Sequence, residues 1–342
     1  MYFVHPQLNN IKPFFAKFSE DELKEKLANF FPNRHVIFTD SGRSAFQLAI
    51  KELGLENSEM LVPAYLCDIF IPIFEHYNIK PIYLDIDLKT FNIQVFKITK
   101  KITPRTKSIL VSHTYGLLVK IEGILEIAKK YNLKIIEDCA HISPVDLSRE
   151  IRGNCAFFSF AKLFPTINGG MLISINPIEV ELPNHRFKLR NIIKFLRLFP
   201  LLARISESFR CKSKGFQGEN SMGIPKGASK GSLRIFNWYL DNFEEQISQR
   251  TKLAKYFQEK LEEIGFQTSP GITYISALVP KNRNRDELFN KLRKKGIFCS
   301  RIWQNPIYPH LPNTLEAAQR IINFPLQNWF TEKDIDKIIS CI

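Results

Sequence analysis

The residues best placed to do chemistry are Lys162 and Asp138. Lys162 stands in AFFSFAKLFPTINGG (residues 156–170), where a short aromatic strand, Ala156–Phe160, gives way to a loop marked by Pro165, Gly169 and Gly170. A lysine at the carboxyl end of a strand can face a cleft. In a dry cleft the ammonium loses hydration, its pKa falls, and the neutral amine becomes a nucleophile towards carbonyls, with a Schiff base as the natural product. KIIEDCAH, 24 residues upstream, ends a second apolar strand at Asp138. A carboxylate and a lysine at one sheet edge give an amine for an aldehyde and an anion for a ring nitrogen, the pairing that pyridoxal phosphate requires.

The elements that must position these two residues come in a regular rhythm. HVIFTDSGRSAFQLAI predicts a strand at Val36–Phe38, a turn at Thr39–Gly42 and a helix from Ser44 to about Leu53. That order creates a helix amino terminus able to hold a phosphate, although a plain N-cap by Ser41 or Ser44 accounts for the same residues. Further strands are predicted at Met60–Pro63, at PIYLDID, at SILVSHTYG, at KIIED, at FFSF and at Met171–Ile175, with helices at Asp68–Tyr77 and Ile121–Tyr131. Seven strands with intervening helices argue for a mostly parallel α/β sheet, whose ligands bind beyond the carboxyl ends of the strands. Gly42, His113, Asp138, Ser159 and Lys162 all fall there.

With 342 residues, the chain has room for a large domain and a smaller one. We expect a large domain over 1–181, a basic insertion with a mobile loop over 182–235, and a small α+β domain over 236–342. The last holds a long helix at Asn237–Ile264, a strand at Ile272–Val279 and helices at Asp286–Lys295 and Glu332–Ile342. A helix is also expected at Glu20–Phe30. The six cysteines fall singly, without metal or disulfide spacing, which suits a reduced, cytoplasmic setting and no metal site. The first residues, MYFVHPQLNNIKPFF, lack the basic-then-apolar order expected of a secretory signal, and no apolar run approaches the length needed to span a bilayer.

Net charge is +14, and its placement is uneven: Leu182–Lys230 holds eleven Lys and Arg against two Glu. Without a zinc-finger or RRM pattern, this excess does not indicate nucleic acid. It agrees with an acidic substrate or, over 186–210, with weak peripheral contact to anionic lipid.

Taken together, TDSGRSAFQLAI, VPAYLCDIF, PIYLDIDLKTFNI, LKIIEDCAH, FSFAKLFPTINGGML and RIINFPLQNWFTEKDIDKI resemble the DegT/DnrJ/EryC1/StrS family of pyridoxal-phosphate-dependent sugar aminotransferases, of the fold type I class. The resemblance implies that Lys162 forms the Schiff base with the cofactor and then shuttles the proton. It also implies that Asp138 pairs with the pyridinium nitrogen, that His141 contacts the phenolic oxygen, and that Ser159 with Gly42, Arg43 and Ser44 holds the phosphate. Cys67 occupies a position where an aromatic residue commonly covers the ring, and Arg43 stands where SGT is usual. The Ser159-to-Lys162 interval is two residues shorter than in the commonest version, and the family's Tyr-Asn-Tyr-Arg segment, which usually reaches the neighbouring subunit's cofactor, has no clear counterpart. Arg301, Trp303 and Tyr308 are candidates by analogy for the substrate pocket.

By resemblance, the activity is ping-pong transfer of an amino group from an amino-acid donor, glutamate, to a nucleotide-linked keto-sugar in polysaccharide or glycoconjugate synthesis, by a homodimer. Two alternatives remain. One is a sugar dehydratase or lyase, against which the retained lysine argues because related dehydratases carry histidine there. The other is a non-catalytic membrane-associated or regulatory member of the fold.

Overall fold

The computed structural model describes residues 1–8, 11–142, 151–185, 189–199, 202–203, 222–269 and 271–342. The chain opens with β1 (Tyr2–Phe3), and then lays down β2 (His35–Thr39), β3 (Glu59–Pro63), β4 (Lys80–Leu84), β5 (Thr106–Ser112), β6 (Lys134–Asp138), β7 (Cys155–Ser159) and β8 (Gly170–Ser174). β2 to β8 form one seven-stranded sheet in the order β2-β8-β7-β6-β5-β3-β4. β3 to β7 run parallel to one another, and β8 runs antiparallel between β2 and β7. This is the mostly parallel α/β fold that the strand rhythm predicts. β3 is buried at every position, as expected of a strand covered on both faces.

The antiparallel β8 brings distant residues together. Gly170 pairs with Thr39 on one side and with Ser159 on the other, so the turn after β2 and the end of β7 share one edge. A Cβ on Gly170 would lie 2.5 Å from the carbonyl oxygen of Phe158, 2.6 Å from the carbonyl carbon of Ser41 and 2.7 Å from the amide nitrogen of Gly42. Only a residue without a side chain allows backbone to approach that closely.

The C-terminal part contains β9 (Gln267–Thr268), β10 (Ile275–Leu278), β11 (Ile297–Phe298) and β12 (Ile321–Phe324), with the three-stranded order β12-β10-β9. β11 pairs in parallel with β1, and Phe3 stacks on Phe298 at 4.7 Å, so the first residues of the chain are joined to its last third. Helices form at Glu20–Phe30, Arg285–Lys294 and Glu332–Ile339, close to the predicted bounds. The long helix expected at Asn237–Ile264 is instead two, Lys230–Asp241 and Phe243–Glu263, broken at Asn242 (φ −115°, ψ 19°). There the Asn242 Nδ2 donates back to the carbonyl of Trp238, a side-chain to backbone bond of the kind that competes with the helical ladder.

The basic segment contains the helix Leu189–Leu196. Phe195 and Phe199 pack on Phe14, and Leu198 is buried in the core beneath β7 and β8. These apolar side chains face the protein, so they are not offered to a lipid surface. Of the insertion expected over 182–235, residues 204–221 lie outside the described residues. Among the described residues, no helix is long and apolar enough to cross a membrane, and the five described cysteines are free.

Candidate active site

The turn after β2 becomes a helix amino terminus through Ser41, whose Oγ accepts the backbone N–H of Ser44, and the helix runs Gly42–Glu52. Ser44 is buried, and its hydroxyl donates to Asp40 Oδ1 at 2.6 Å. It serves the cap and does not line the cavity described next, unlike Gly42 and Arg43 beside it. Asp138 ends β6 only 5% exposed, accepts the backbone N–H of Ala140 at 3.0 Å and faces the Ser112 hydroxyl at 3.4 Å. Burial pushes its carboxyl up to about 6, against the pull of that N–H, His113, Ser112 and Lys162.

Lys162 sits on a single helical turn, Phe160–Leu163, directly after β7. The turn is held by Phe160, whose N–H donates to the Gly169 carbonyl at 3.0 Å and whose ring stacks on Phe236 at 4.0 Å. Gly169 has φ +110°, and a Cβ there would lie 2.6 Å from the Phe160 ring. The Gly-Gly pair thus seats the lysine's own turn.

These elements enclose a cavity of about 280 Å³, lined by Gly42, Arg43, Cys67, Asp138, His141, Ser159, Lys162 and Trp303. Arg301 and Tyr308 are not among its lining residues. Arg301 donates to Asp286 at 2.6 Å and lies over the Phe289 ring, while Tyr308 stacks on Tyr83 at 4.3 Å. Of the three residues expected by analogy for the substrate pocket, only Trp303 is at this cavity. It stacks on His141 at 5.1 Å and holds a left-handed φ of +59°, a strained conformation for a bulky residue. Sequence reasoning missed Asn168, His185, Asn191 and Lys194, which also line the cavity and come from the loop before β8 and from the basic segment.

The charge on Lys162 differs from expectation. Burial does lower its pKa, but Tyr274 outweighs burial, Cys67 and Asp138 add to it, and the net direction is up. Tyr274 in turn is raised by burial and pulled back by Lys162 and Arg250. In the cofactor-free chain the lysine's pKa is therefore held above, not below, its ordinary value.

Lys162 also lines a second cavity, of about 410 Å³, with Gln7, Trp238, Gln246, Arg250 and Trp329. Arg250 donates to the carbonyls of Ile272, Thr273 and Leu326 and to Asn328 Oδ1, all neutral oxygens, and burial lowers its pKa to about 10. Gln7 is 4% exposed and its Nε2 has no hydrogen-bond partner among the described residues.

His113, Glu137 and Cys139 cluster beneath the site. His113 Nδ1 accepts the Val119 N–H at 3.1 Å and its Nε2 pairs with Glu137 at 2.9 Å, while Glu137 also accepts the N–H groups of Arg152 and Gly153. Both ring nitrogens are therefore engaged in a structural network.

A buried acid, an amine and a helix amino terminus around one cavity at the carboxyl ends of a parallel sheet define a fold type I pyridoxal-phosphate enzyme. The residues present fit the cofactor: a carboxyl raised by burial suits a ring cation, and the close packing of Gly170 on the Ser41–Gly42 turn sets the helix amino terminus, with Arg43, beside Ser159 at the same cavity.

A sequence model of the DegT/DnrJ/EryC1/StrS aminotransferase family matches residues 17–192 and 232–342, and the chain belongs to that family. It is an aminotransferase that uses pyridoxal phosphate. It is similar to the GDP-perosamine synthase of Caulobacter vibrioides, 25% identical over 94% of this chain and 88% of that one. It is also similar to the dTDP-4-amino-4,6-dideoxy-D-glucose transaminase of Shigella dysenteriae, 26% identical over the same shares. Its fold is like that of an E. coli GDP-4-keto-6-deoxy-D-mannose-3-dehydratase, with TM-score 0.73 and 18% identity, over 100% of this chain and 99% of that one.

Proposed function

We propose that the enzyme transfers an amino group from glutamate to a nucleotide-linked keto-sugar, as a cytoplasmic homodimer. The observation that carries this reading is the position of Lys162, which shares one cavity with Asp138 and the helix amino terminus and opens on a second cavity beyond. When bound, pyridoxal phosphate supplies an aldehyde for the amine and an electron-withdrawing ring. Asp138 would face the ring nitrogen and hold its proton. His141 would donate from Nε2 to the ring oxygen. Arg43, Ser159 and the helix amino terminus at Gly42 would hold the phosphate. Lys162 would hold the cofactor through its amine and, in its free form, would serve as the base that carries a proton at the substrate carbon.

The second cavity supports a substrate route to Lys162. Its cations, Arg250 and Lys162, together with the Gln7 amide, which is unpartnered among the described residues, favour acceptor-rich ligands such as carboxylates and sugars on the side of the cavity away from Glu245. The likeness in fold to a dehydratase keeps elimination as the second reading.

The test is a panel of nucleotide-linked keto-sugars incubated with glutamate and the purified, cofactor-loaded protein, scored by mass for amination or loss of water. Amination that disappears in Lys162→Ala supports the reading. Loss of water without glutamate consumption would replace it, and no turnover of any keto-sugar would overturn it. Sedimentation would test the homodimer.

A further inference from the structure

We propose that the helix Leu189–Leu196 closes the phosphate end of the first cavity from within the same chain, with Lys194 as the cation that meets the phosphate. Asn191 and Lys194 line that cavity together with Ser41, Gly42 and Arg43. They are three residues apart on one helix, hence on one face.

The helix is fixed to the phosphate end by polar contacts. Asn191 is 3% exposed, and its Nδ2 lies 3.2 Å from His185 Nε2. The same ring nitrogen receives Asn168 Nδ2 at 2.8 Å, so it is the acceptor and the ring proton is on Nδ1, 4.0 Å from Asp40 Oδ2. Asp40, the carboxylate at this end, is engaged through Oδ1 by the hydroxyls of Ser44 and Ser41. Below the helix, Leu198 is buried and its carbonyl accepts the Leu8 N–H at 2.7 Å.

Two further observations make this a property of this chain. The family match stops at residue 192 and resumes at 232, so Lys194 lies in the unmatched stretch. That stretch, 193–231, holds eight Lys and Arg against two Glu. The inference rests on the reading that a phosphate-bearing ligand fills this cavity. That phosphate is either the cofactor's own or one belonging to a nucleotide-linked substrate.

The experiment uses full-length, cofactor-stripped protein as wild type, Lys194→Ala and Lys194→Arg. Pyridoxal phosphate binding is read by its visible absorbance, and uridine or guanosine diphosphate binding by calorimetry. Losing one charge-assisted contact should weaken the affected ligand about tenfold or more in Lys194→Ala, and by much less in Lys194→Arg. Weakened pyridoxal phosphate assigns Lys194 to the cofactor; weakened nucleoside diphosphate alone assigns it to the substrate. Neither ligand weakened overturns the proposal.

Co-expression of Lys162→Ala with Lys194→Ala chains tests the same-chain claim. Restored cofactor affinity in mixed dimers would mean that Lys194 acts across the interface and would overturn that claim. A wild-type protein that never binds pyridoxal phosphate would count against the functional reading, and the nucleoside diphosphate measurement would still decide the role of Lys194.

Discussion

The backbone N–H of Tyr115 donates to Nδ1 of His141 at 3.2 Å. That contact makes Nδ1 an acceptor and leaves the ring proton on Nε2. Burial and the Lys162 charge both hold the imidazole well below its ordinary pKa, so it is neutral. Tyr115 presents its N–H from a left-handed conformation, φ +59°, followed by Gly116 at φ +89°. A Cβ on Gly116 would lie 2.6 Å from Thr273 Oγ1, and that hydroxyl donates to the His141 carbonyl. The ring is thus positioned by two elements far apart in the chain.

His141→Gln keeps an N–H donor and should retain activity within a few-fold, whereas His141→Leu should lose about 10- to 100-fold, the worth of a hydrogen bond to a charged oxygen. Steady-state rates, with cofactor content checked by absorbance, would measure this. Equal rates for the two variants would remove the donor role.

Asp138 carries a stability consequence. Its folded pKa of about 6 lies above the ordinary 3.8, so the folded, cofactor-free protein binds the proton more tightly than the unfolded chain. That stabilisation is present at low pH and is lost as pH rises through this window. Asp138→Asn should therefore raise the stability of the cofactor-free protein above pH 6 by up to about 3 kcal/mol. The same change should abolish transamination. Urea unfolding on either side of the window would show no pH-dependent gain if the carboxyl were not raised.

Tyr274→Phe should lower the pKa of Lys162, since the phenol is the largest of the influences that raise it. The pH profile for modification of the Lys162 amine by an aldehyde reagent in cofactor-free protein would move to lower pH. An unmoved profile would show that Cys67 and Asp138 hold the charge without it.

Gly170→Ala should cost about 1–3 kcal/mol and loosen cofactor binding, because the new methyl meets backbone of Phe158, Ser41 and Gly42, none of which can rotate away. Gly54→Ala is the control: its φ is +58°, with nothing within 4 Å of the added carbon. Thermal melts and cofactor titration would separate the two. Equal cofactor affinity in both variants would mean that the Ser41–Gly42 turn tolerates displacement.

The sequence alone determined the local features of this protein. Apolar runs bounded by turn residues placed the strands of the sheet, and their ends placed Asp138 and Lys162 at one edge, because strand periodicity and turn chemistry act over a few residues. The tertiary structure decided what those residues meet. Antiparallel insertion of β8 set Gly170 between Thr39 and Ser159. Packing of the C-terminal part brought in Trp303 and Tyr274 while keeping Arg301 and Tyr308 elsewhere. The basic segment came to carry Asn191 and Lys194 to the cavity. The pKa of a buried amine is a sum over neighbours distant in the chain, and the largest influence on that of Lys162 comes from Tyr274, 112 positions away in the sequence.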